Sequence, residues 1–190
     1  LSGRLRVAGF NLRNYFNGPT FPTPRGAVTL EAFQRQHAKL VAALAGMAAD
    51  VIGLMEVEND GYGPGSAIAE LTAGLDDAAP TGVSYAFIRP DGDRLGNDAI
   101  ANALIHRKET VAPVGPAAAL TSGLFAGTNR PALAQSFRET ATGETFAVVV
   151  NHFRSRSSPC DDDPDPGDGQ GDCNRTRTRA AEELAAWLAD

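Results

Sequence analysis

Cysteine is scarce in this sequence, long hydrophobic runs are lacking, and acidic residues outnumber basic ones. No apolar stretch approaches the roughly 18 residues that a membrane-spanning helix requires, so we expect no membrane partner. The 17 lysines and arginines stand against 23 aspartates and glutamates, and the net charge of −6 argues against a general polyanion binder with a basic face. An enzyme that acts on phosphates is not excluded, because arginines can be concentrated at one site.

The two cysteines, Cys160 and Cys173, lie close together and bound an acidic segment, residues 159–173, which contains six aspartates. A metal centre would need further ligands at suitable spacing. A local disulfide is therefore the better interpretation if the protein is exported, with two free thiols as the alternative. The glycines and prolines of the segment predict a loop. We expect either a solvated, disulfide-closed loop or a Ca²⁺ site, although the EF-hand spacing is lacking.

A length of 190 residues predicts one domain with a proper core. Four continuously apolar runs predict strands of a sheet covered on both faces: LRVAGF, VIGLM, AIANALI and FAVVV. Leu30, Phe33, Leu40 and Leu44 recur at helical spacing, with Thr29 as a plausible N-cap. ALAQSFRET and TFAVVVNHF, joined by a turn at ATGE, predict an antiparallel hairpin. The pattern indicates a layered α/β domain with a mixed sheet flanked by helices.

Three further elements are expected. SAIAELTAGL predicts a short second helix, VSYAFI predicts a strand, and a last helix begins near Asn174. The last helical pattern has no stop signal, so we expect the natural chain to continue beyond Asp190. The first residues, LSGRLRVAGF, do not resemble a signal peptide.

Polar side chains mark the ends of the predicted strands, where layered α/β proteins tend to place their chemistry. Asn11 ends the first strand, Glu56 directly follows the second, His152 ends the most apolar one, and Arg130 precedes a strand that could reach the same edge. An unpaired carboxylate at the Glu56 position would be costly. A hard cation such as Mg²⁺ or Ca²⁺ would resolve that cost, and so would a salt bridge or a helix start.

Three histidines are present, and a lone histidine is more often structural than catalytic. His152 gains weight from its neighbours, because Arg154 and Arg156 could hold phosphate oxygens and Asn151 could orient or donate. The alternative for this RSRSS segment is a solvated loop. The other two histidines are expected to have no catalytic role, with His37 partly buried on the first helix and His106 at the surface.

Five segments, taken in order, carry a resemblance to a known family: VAGFNLRNYF, DVIGLMEVEN, GNDAIANALIHR, NRPALAQSF and FAVVVNHFRSR. Together they resemble the endonuclease/exonuclease/phosphatase family, which includes the pancreatic-type deoxyribonucleases and the abasic-site endonucleases. NHFRSR followed by GDGQGDCNRTR is most similar to the secreted bacterial nucleases. The segments span nearly the whole chain.

The resemblance implies a role for five residues. Glu56 matches the acidic metal ligand, and Asn11 matches the asparagine near metal and phosphate. His152 matches the histidine that contacts the scissile phosphate, and Arg130 matches an arginine that helps to hold it. Asp98 lies near the position where many members have a tyrosine, so it is a candidate catalytic residue without a phenol.

The sequence departs from the family at its end, where the GDFN-type and SDH-type motifs do not occur. The resemblance therefore implies that residues 1–190 are the N-terminal portion of one catalytic domain, with the 159–173 loop inside it. The family fold is a four-layered α/β/β/α sandwich. Its second sheet is expected to be largely missing from this chain, and the chain alone is expected to be weakly active or inactive.

The function implied by the resemblance is metal-dependent phosphodiester hydrolysis of nucleic acid, DNA first, by a secreted or periplasmic nuclease. Mg²⁺ is the expected cofactor, with Mn²⁺ or Ca²⁺ as alternatives, and a monomer is the default. Two other functions stay open. One is a phosphatase or phospholipase of the same family, and the other is a secreted Ca²⁺-stabilised binding module.

Overall fold

The structure is a computed structural model and describes residues 4–189. The strands are β1 (Val7–Tyr15), β2 (Val51–Glu58), β3 (Tyr85–Phe87), β4 (Ile100–Arg107), β5 (Val111–Leu120), β6 (Arg130–Glu139) and β7 (Thr145–His152). The α-helices are α1 (Leu30–Met47), α2 (Ala67–Ala78) and α3 (Asn174–Trp187), and a 3-10 turn covers Gly123–Phe125. Within the described residues, no helix is long and apolar enough to cross a membrane.

The strands form two sheets that face each other. The first has the order β1-β2-β4-β3 and is mixed, because β1 pairs with β2 in parallel and the other pairs are antiparallel. The second has the order β5-β6-β7 and is antiparallel. Val51 and Leu104 of the first sheet share a buried core with Leu133, Phe137 and Val150 of the second.

Helices cover the outer faces of both sheets. Helices α1 and α2 pack on the first sheet, where Leu44 and Leu71 join Ile52, Leu54 and Ile105 in a second core. On the other side, Ala180, Leu184 and Trp187 of α3 pack near Leu120 and Ala132 of the second sheet. The predicted layered α/β sandwich is confirmed.

The expectation that the second sheet would be largely missing is wrong. Three of its strands are present, and β5 was not predicted at all. Its sequence, VAPVGPAAAL, contains two prolines and a glycine and has no β-branched run. Prolines are tolerated because β5 lies at the edge of its sheet, where an amide N–H is not required on the open side.

Helix α1 begins as its sequence predicts. The Thr29 side chain accepts a hydrogen bond from the Ala32 amide at 3.1 Å, which satisfies one free N–H of the first turn. Phe33, Leu40 and Leu44 form the buried side. The predicted second helix, the hairpin of β6 and β7, and the last helix are also present.

Strands β1 and β2 continue past the polar residues at which the sequence predicted their ends. Asn11 and Glu56 therefore lie inside strands, not after them. Both strands are irregular there, because Arg13, Asn14 and Glu56 have positive φ angles of 57°, 56° and 65° and the register shifts at these places. Such irregularities re-aim side chains, and here they turn polar groups of β1 and β2 toward a common edge.

The acidic loop, residues 159–173, is closed by the Cys160–Cys173 disulfide. It also holds the start of α3. Asp163 accepts hydrogen bonds from the Thr176 amide at 2.8 Å and from Arg175 Nε at 3.1 Å, while Cys173, at the N-cap position, makes no side-chain cap. These bonds, the backbone amide first, lower the pKa of the Asp163 carboxyl group.

Other aspartates of this loop accept backbone amides as well. Asp165 accepts from Gly167, Asp168 from Gln170, and Asp172 from Asp165. In the part of the chain that the structure describes, no three His, Cys, Asp or Glu side chains are grouped so that they could hold a metal ion. The loop is thus organised by hydrogen bonds to its own backbone.

Candidate active site

Glu56 lies at the centre of the polar edge formed by β1 and β2. Its Oε1 accepts a hydrogen bond from Asn11 Nδ2 at 2.8 Å, and its Oε2 accepts one from the Asn14 amide at 2.9 Å. The amide of Asn14 is available because the positive φ angles at Arg13 and Asn14 turn the backbone toward the carboxylate. With 18% of its side chain exposed, Glu56 is held in one orientation but remains open to a ligand.

His152 closes the site from the second sheet. It is the last residue of β7, pairs with Arg130 at the start of β6, and places its Nε2 3.8 Å from Glu56 Oε1. Burial, and next the positive charge of Arg130, lower the pKa of His152, and the carboxylates of Glu56 and Asp98 oppose the shift. The lowered pKa favours the neutral imidazole at pH 7, in which one ring nitrogen carries an N–H and the other a lone pair.

Arg130 is fixed by Asp98. Its Nε lies 3.0 Å from Asp98 Oδ2, in an ion pair whose angle departs from that of a hydrogen bond. The other carboxylate oxygen, Oδ1, lies 3.1 Å from a terminal nitrogen of Arg25. Asp98, predicted as a candidate catalytic residue, is thus placed at the site by two arginines.

Sequence reasoning missed Asn59, which organises the loop that carries Asp98. Its Nδ2 donates to the carbonyl oxygens of Leu95, Gly96 and Asp98 at 3.0–3.2 Å, and its Oδ1 accepts from the Leu95 amide at 3.2 Å. Asn59 is 7% exposed. No motif identified it, because its partners lie 36 to 39 residues away in the chain.

The three residues predicted to bind phosphate, Asn151, Arg154 and Arg156, make their contacts outside the group formed by Glu56, His152 and Arg130. Asn151, the residue before His152 in β7, lines a hollow of about 280 Å³ together with Gly9 and Gly53. Arg154 donates to the Pro159 carbonyl at 3.3 Å, within the acidic loop. Arg156 is exposed, and its carbonyl accepts the Asp172 amide at 2.9 Å, which ties it to the loop's base.

The residues present fit a magnesium ion bound in the usual way. Glu56 offers carboxylate oxygens and Asn11 an amide oxygen, the hard ligands that Mg²⁺ prefers. No protein cage of three acidic or histidine ligands exists within residues 4–189. Mg²⁺ rarely uses such a cage, because it keeps several waters and binds one or two carboxylates together with substrate phosphates.

The two remaining histidines lie outside this site. His37 accepts or donates a hydrogen bond of 2.7 Å with the Tyr15 hydroxyl beneath α1, as expected for a structural residue. The surface position expected for His106 is wrong, since it is 5% exposed and its ring centroid lies 5.5 Å from that of Phe137. Strand alternation explains this, because His106 lies on the same face of β4 as Leu104, whose side chain belongs to the core between the sheets.

Solved structures of other proteins share this arrangement of sheets and helices. A Bacteroides vulgatus endonuclease/exonuclease/phosphatase protein superposes with a TM-score of 0.53 at 22% identity, over 79% of this chain and 52% of that one. The chain has the fold of the endonuclease/exonuclease/phosphatase family. The catalytic domain of human Nocturnin, solved with a bound sulfate anion, shares this family fold with a TM-score of 0.52 at 16% identity, over 81% of this chain and 51% of that one.

The chain spans about half the length of these two structures. No protein-family model matches it, and a comparison with curated protein sequences found no match. The endonuclease/exonuclease/phosphatase fold is therefore established by structure, with the predicted family resemblance confirmed at the level of the fold.

Proposed function

We propose that this chain carries the phosphate-binding half of a hydrolase that cleaves phosphoester bonds, and specifically of a metal-dependent nuclease. The observation that supports this most is the meeting of Glu56, Asn11, His152 and Arg130 at one edge shared by two sheets. These groups combine hard oxygen ligands, a fixed cation and a neutral imidazole. That combination suits a phosphoryl group, on which negative charge must be neutralised.

Each residue has a distinct task in this proposal. Arg130, held by Asp98, donates N–H groups to a non-bridging phosphoryl oxygen. His152, neutral and adjacent to Arg130, contacts a second phosphoryl oxygen or exchanges a proton with it. Glu56 and Asn11 would hold Mg²⁺, which when bound supplies Lewis-acid neutralisation of phosphoryl charge. We assign to these residues binding and charge neutralisation, and not the activation of the attacking water.

The finer parts of the proposal have separate support. A sulfate ion resembles phosphate in shape and charge, and its presence in the Nocturnin structure is consistent with an anion site in this fold. The disulfide of the acidic loop favours an oxidising compartment, so we propose that the protein is secreted or periplasmic. DNA is the proposed first substrate, and a monomer is the proposed state.

The test is nicking of supercoiled plasmid DNA by the complete protein in Mg²⁺, Mn²⁺ or EDTA, with Glu56→Gln and His152→Ala beside wild type. We expect metal-dependent nicking that falls at least about 100-fold in both variants, the size of effect seen when one transition-state contact is lost. Glu31→Gln is the matched control, because Glu31 lies on the exposed surface of α1 with 83% of its side chain accessible. Turnover within a few-fold of wild type in Glu56→Gln would refute the metal-ligand assignment.

A phosphatase or phospholipase is the alternative that uses the same residues, since all of them recognise a phosphoryl group and none reads a base. Parallel assays with DNA, RNA, a phosphoinositide and sphingomyelin separate these substrates. Hydrolysis of a lipid with no cleavage of either nucleic acid would replace the nuclease by the alternative. The loss in Glu56→Gln should then appear with the lipid substrate.

A further inference from the structure

Arg25 lies at the edge of the candidate active site although no sequence pattern assigned it a role. It belongs to the loop between β1 and α1, residues 16–29, and shares the Asp98 carboxylate with Arg130. Each arginine takes one carboxylate oxygen, at 3.1 and 3.0 Å. The two guanidinium groups are therefore held next to the same carboxylate. Arg25 and Asp98 are 73 residues apart in the sequence.

The loop that carries Arg25 is packed onto the site. Gly26 lies so close to the end of β1 that a Cβ atom there would be 2.6 Å from the Asn14 carbonyl oxygen. The same Asn14 donates its amide to Glu56. Thr23 closes the loop on itself, because its hydroxyl donates to the Ala27 carbonyl at 2.9 Å. Arg25 is thus anchored on both sides, by Gly26 below and by Asp98 across the edge.

Within the cluster of Arg25, Asp98 and Arg130 the charges do not cancel, although the Glu56 carboxylate lies at the same edge beside His152. One carboxylate serves two guanidinium groups, which leaves one positive charge over in a chain whose formal net charge is −6. Arg130 has 19% of its side chain exposed, as suits a group that reaches into the site, whereas Arg25 has 44% exposed. A guanidinium has five N–H donors, and the hydrogen bond to Asp98 uses one of those of Arg25.

We propose that Arg25 binds a phosphate of the nucleic-acid strand next to the phosphate held by Arg130. Asp98 is the spacer that sets the distance between the two cations. Arg25 thereby favours a polymeric substrate, with at least two consecutive phosphates, over a single phosphodiester. This inference rests on the proposed function, because it names the substrate class of the same site.

The experiment compares two substrates of the complete protein: a single-stranded DNA 12-mer and bis(p-nitrophenyl) phosphate, which has one phosphodiester. In Arg25→Gln, we expect kcat/KM for the 12-mer to fall about 10-fold, through KM, and to fall at least fivefold more than for the single diester. The slope of log kcat/KM for the 12-mer against log salt should decrease by about 0.7, the contribution of one phosphate contact in a single strand. Arg25→Lys should recover part of the loss, since it keeps the charge.

Arg35→Gln is the matched control, because Arg35 is an exposed arginine of α1 that pairs only with Glu31 in the part of the chain that the structure describes. It should retain wild-type values for both substrates and for the salt slope. Equal losses for the two substrates in Arg25→Gln would overturn the inference, because Arg25 would then act only by fixing Asp98 and Arg130. Identical behaviour of Arg25→Gln and Arg35→Gln would overturn it as well.

Failure of the inference can be distinguished from failure of the proposed function. If wild type cleaves the 12-mer and Arg25→Gln cleaves it equally well, the nuclease stands and the role of Arg25 falls. If wild type cleaves neither substrate and does not bind a fluorescent 12-mer in anisotropy measurements, the proposed function falls and this inference falls with it.

Discussion

Replacing Asn59 by aspartate should destabilise this protein more than replacing it by alanine, although aspartate is nearly the same size. Asn59 is buried and uses both of its amide N–H groups and its carbonyl oxygen on the 95–98 loop. Two N–H groups shared among three carbonyls, and one accepted bond, amount to about three hydrogen bonds. At about 1 kcal/mol each, Asn59→Ala should cost about 3 kcal/mol of the free energy of unfolding.

Asn59→Asp keeps the bond accepted from Leu95 but turns a carboxylate toward three carbonyl oxygens. The unfavourable burial of that charge should add about 1–3 kcal/mol to the cost at pH 8. It also gives the variant a distinctive pH dependence. Burial beside carbonyl oxygens raises the pKa of the introduced carboxyl group in the folded state, so the folded protein binds the proton more readily than the unfolded chain. The deficit relative to Asn59→Ala should therefore shrink as pH falls from 8 toward 5.

Urea unfolding followed by circular dichroism measures both effects. With a slope of about 2 kcal/mol per molar urea, a loss of 3 kcal/mol lowers the midpoint by about 1.5 M. Asn97→Asp is the matched control, because Asn97 is exposed in the same loop. A midpoint for Asn59→Asp equal to that of Asn97→Asp at pH 8 would show that the three carbonyl contacts do not hold the loop.

Two further predictions use groups elsewhere in the fold. Burial lowers the pKa of His106 below its unfolded value of about 6.5, so the folded protein binds fewer protons than the unfolded chain. The resulting stability is present above pH 6.5 and decreases as the pH falls below it. The urea midpoint should therefore drop less between pH 7.5 and pH 5.5 in His106→Gln than in wild type. Gly96→Ala should lower the thermal midpoint more than Gly92→Ala. Both glycines have positive φ angles, 73° and 86°, but only at Gly96 would the new Cβ lie 2.7 Å from Pro131 Cγ. Equal midpoints would mean that Pro131 moves aside at no cost.

The parts of the fold that could be predicted are those encoded by short-range pattern. The apolar runs of β2, β4 and β7 and the apolar stripe of α1 specify burial within a few residues, and the Thr29 cap is a local hydrogen bond. Strand β5 could not be predicted, since its alternation is weak and its prolines are tolerated only because of its edge position. That position is a property of the assembled sheet.

The candidate site, too, has residues that a local pattern identifies and contacts that only the folded chain creates. Polar residues following apolar runs identified Glu56 and His152, and the position of Arg130 just before a strand identified the third residue. Their proximity is consistent with the predicted roles. The positive φ angles at Arg13, Asn14 and Glu56 could not be predicted, because none of these residues is a glycine. The contacts of Asp98 with Arg25 depend on two loops that only the packed sheets bring together.

The first turn of α3 is held by Asp163, and not by the side chain of the residue that immediately precedes the helix. The Cys173 amide donates to the Asp163 carbonyl at 2.7 Å, and the disulfide joins Cys173 to Cys160, so the stretch of residues 164–172 begins and ends close together. Lengthening such an excursion costs only about 0.6 kcal/mol for each doubling of the loop. Gln170 and Asp172 accept hydrogen bonds from Arg177 of α3, so the place for grafting is the exposed stretch of residues 166–169. An epitope, a fluorophore attachment site or a targeting peptide inserted there should leave the register of α3 unchanged.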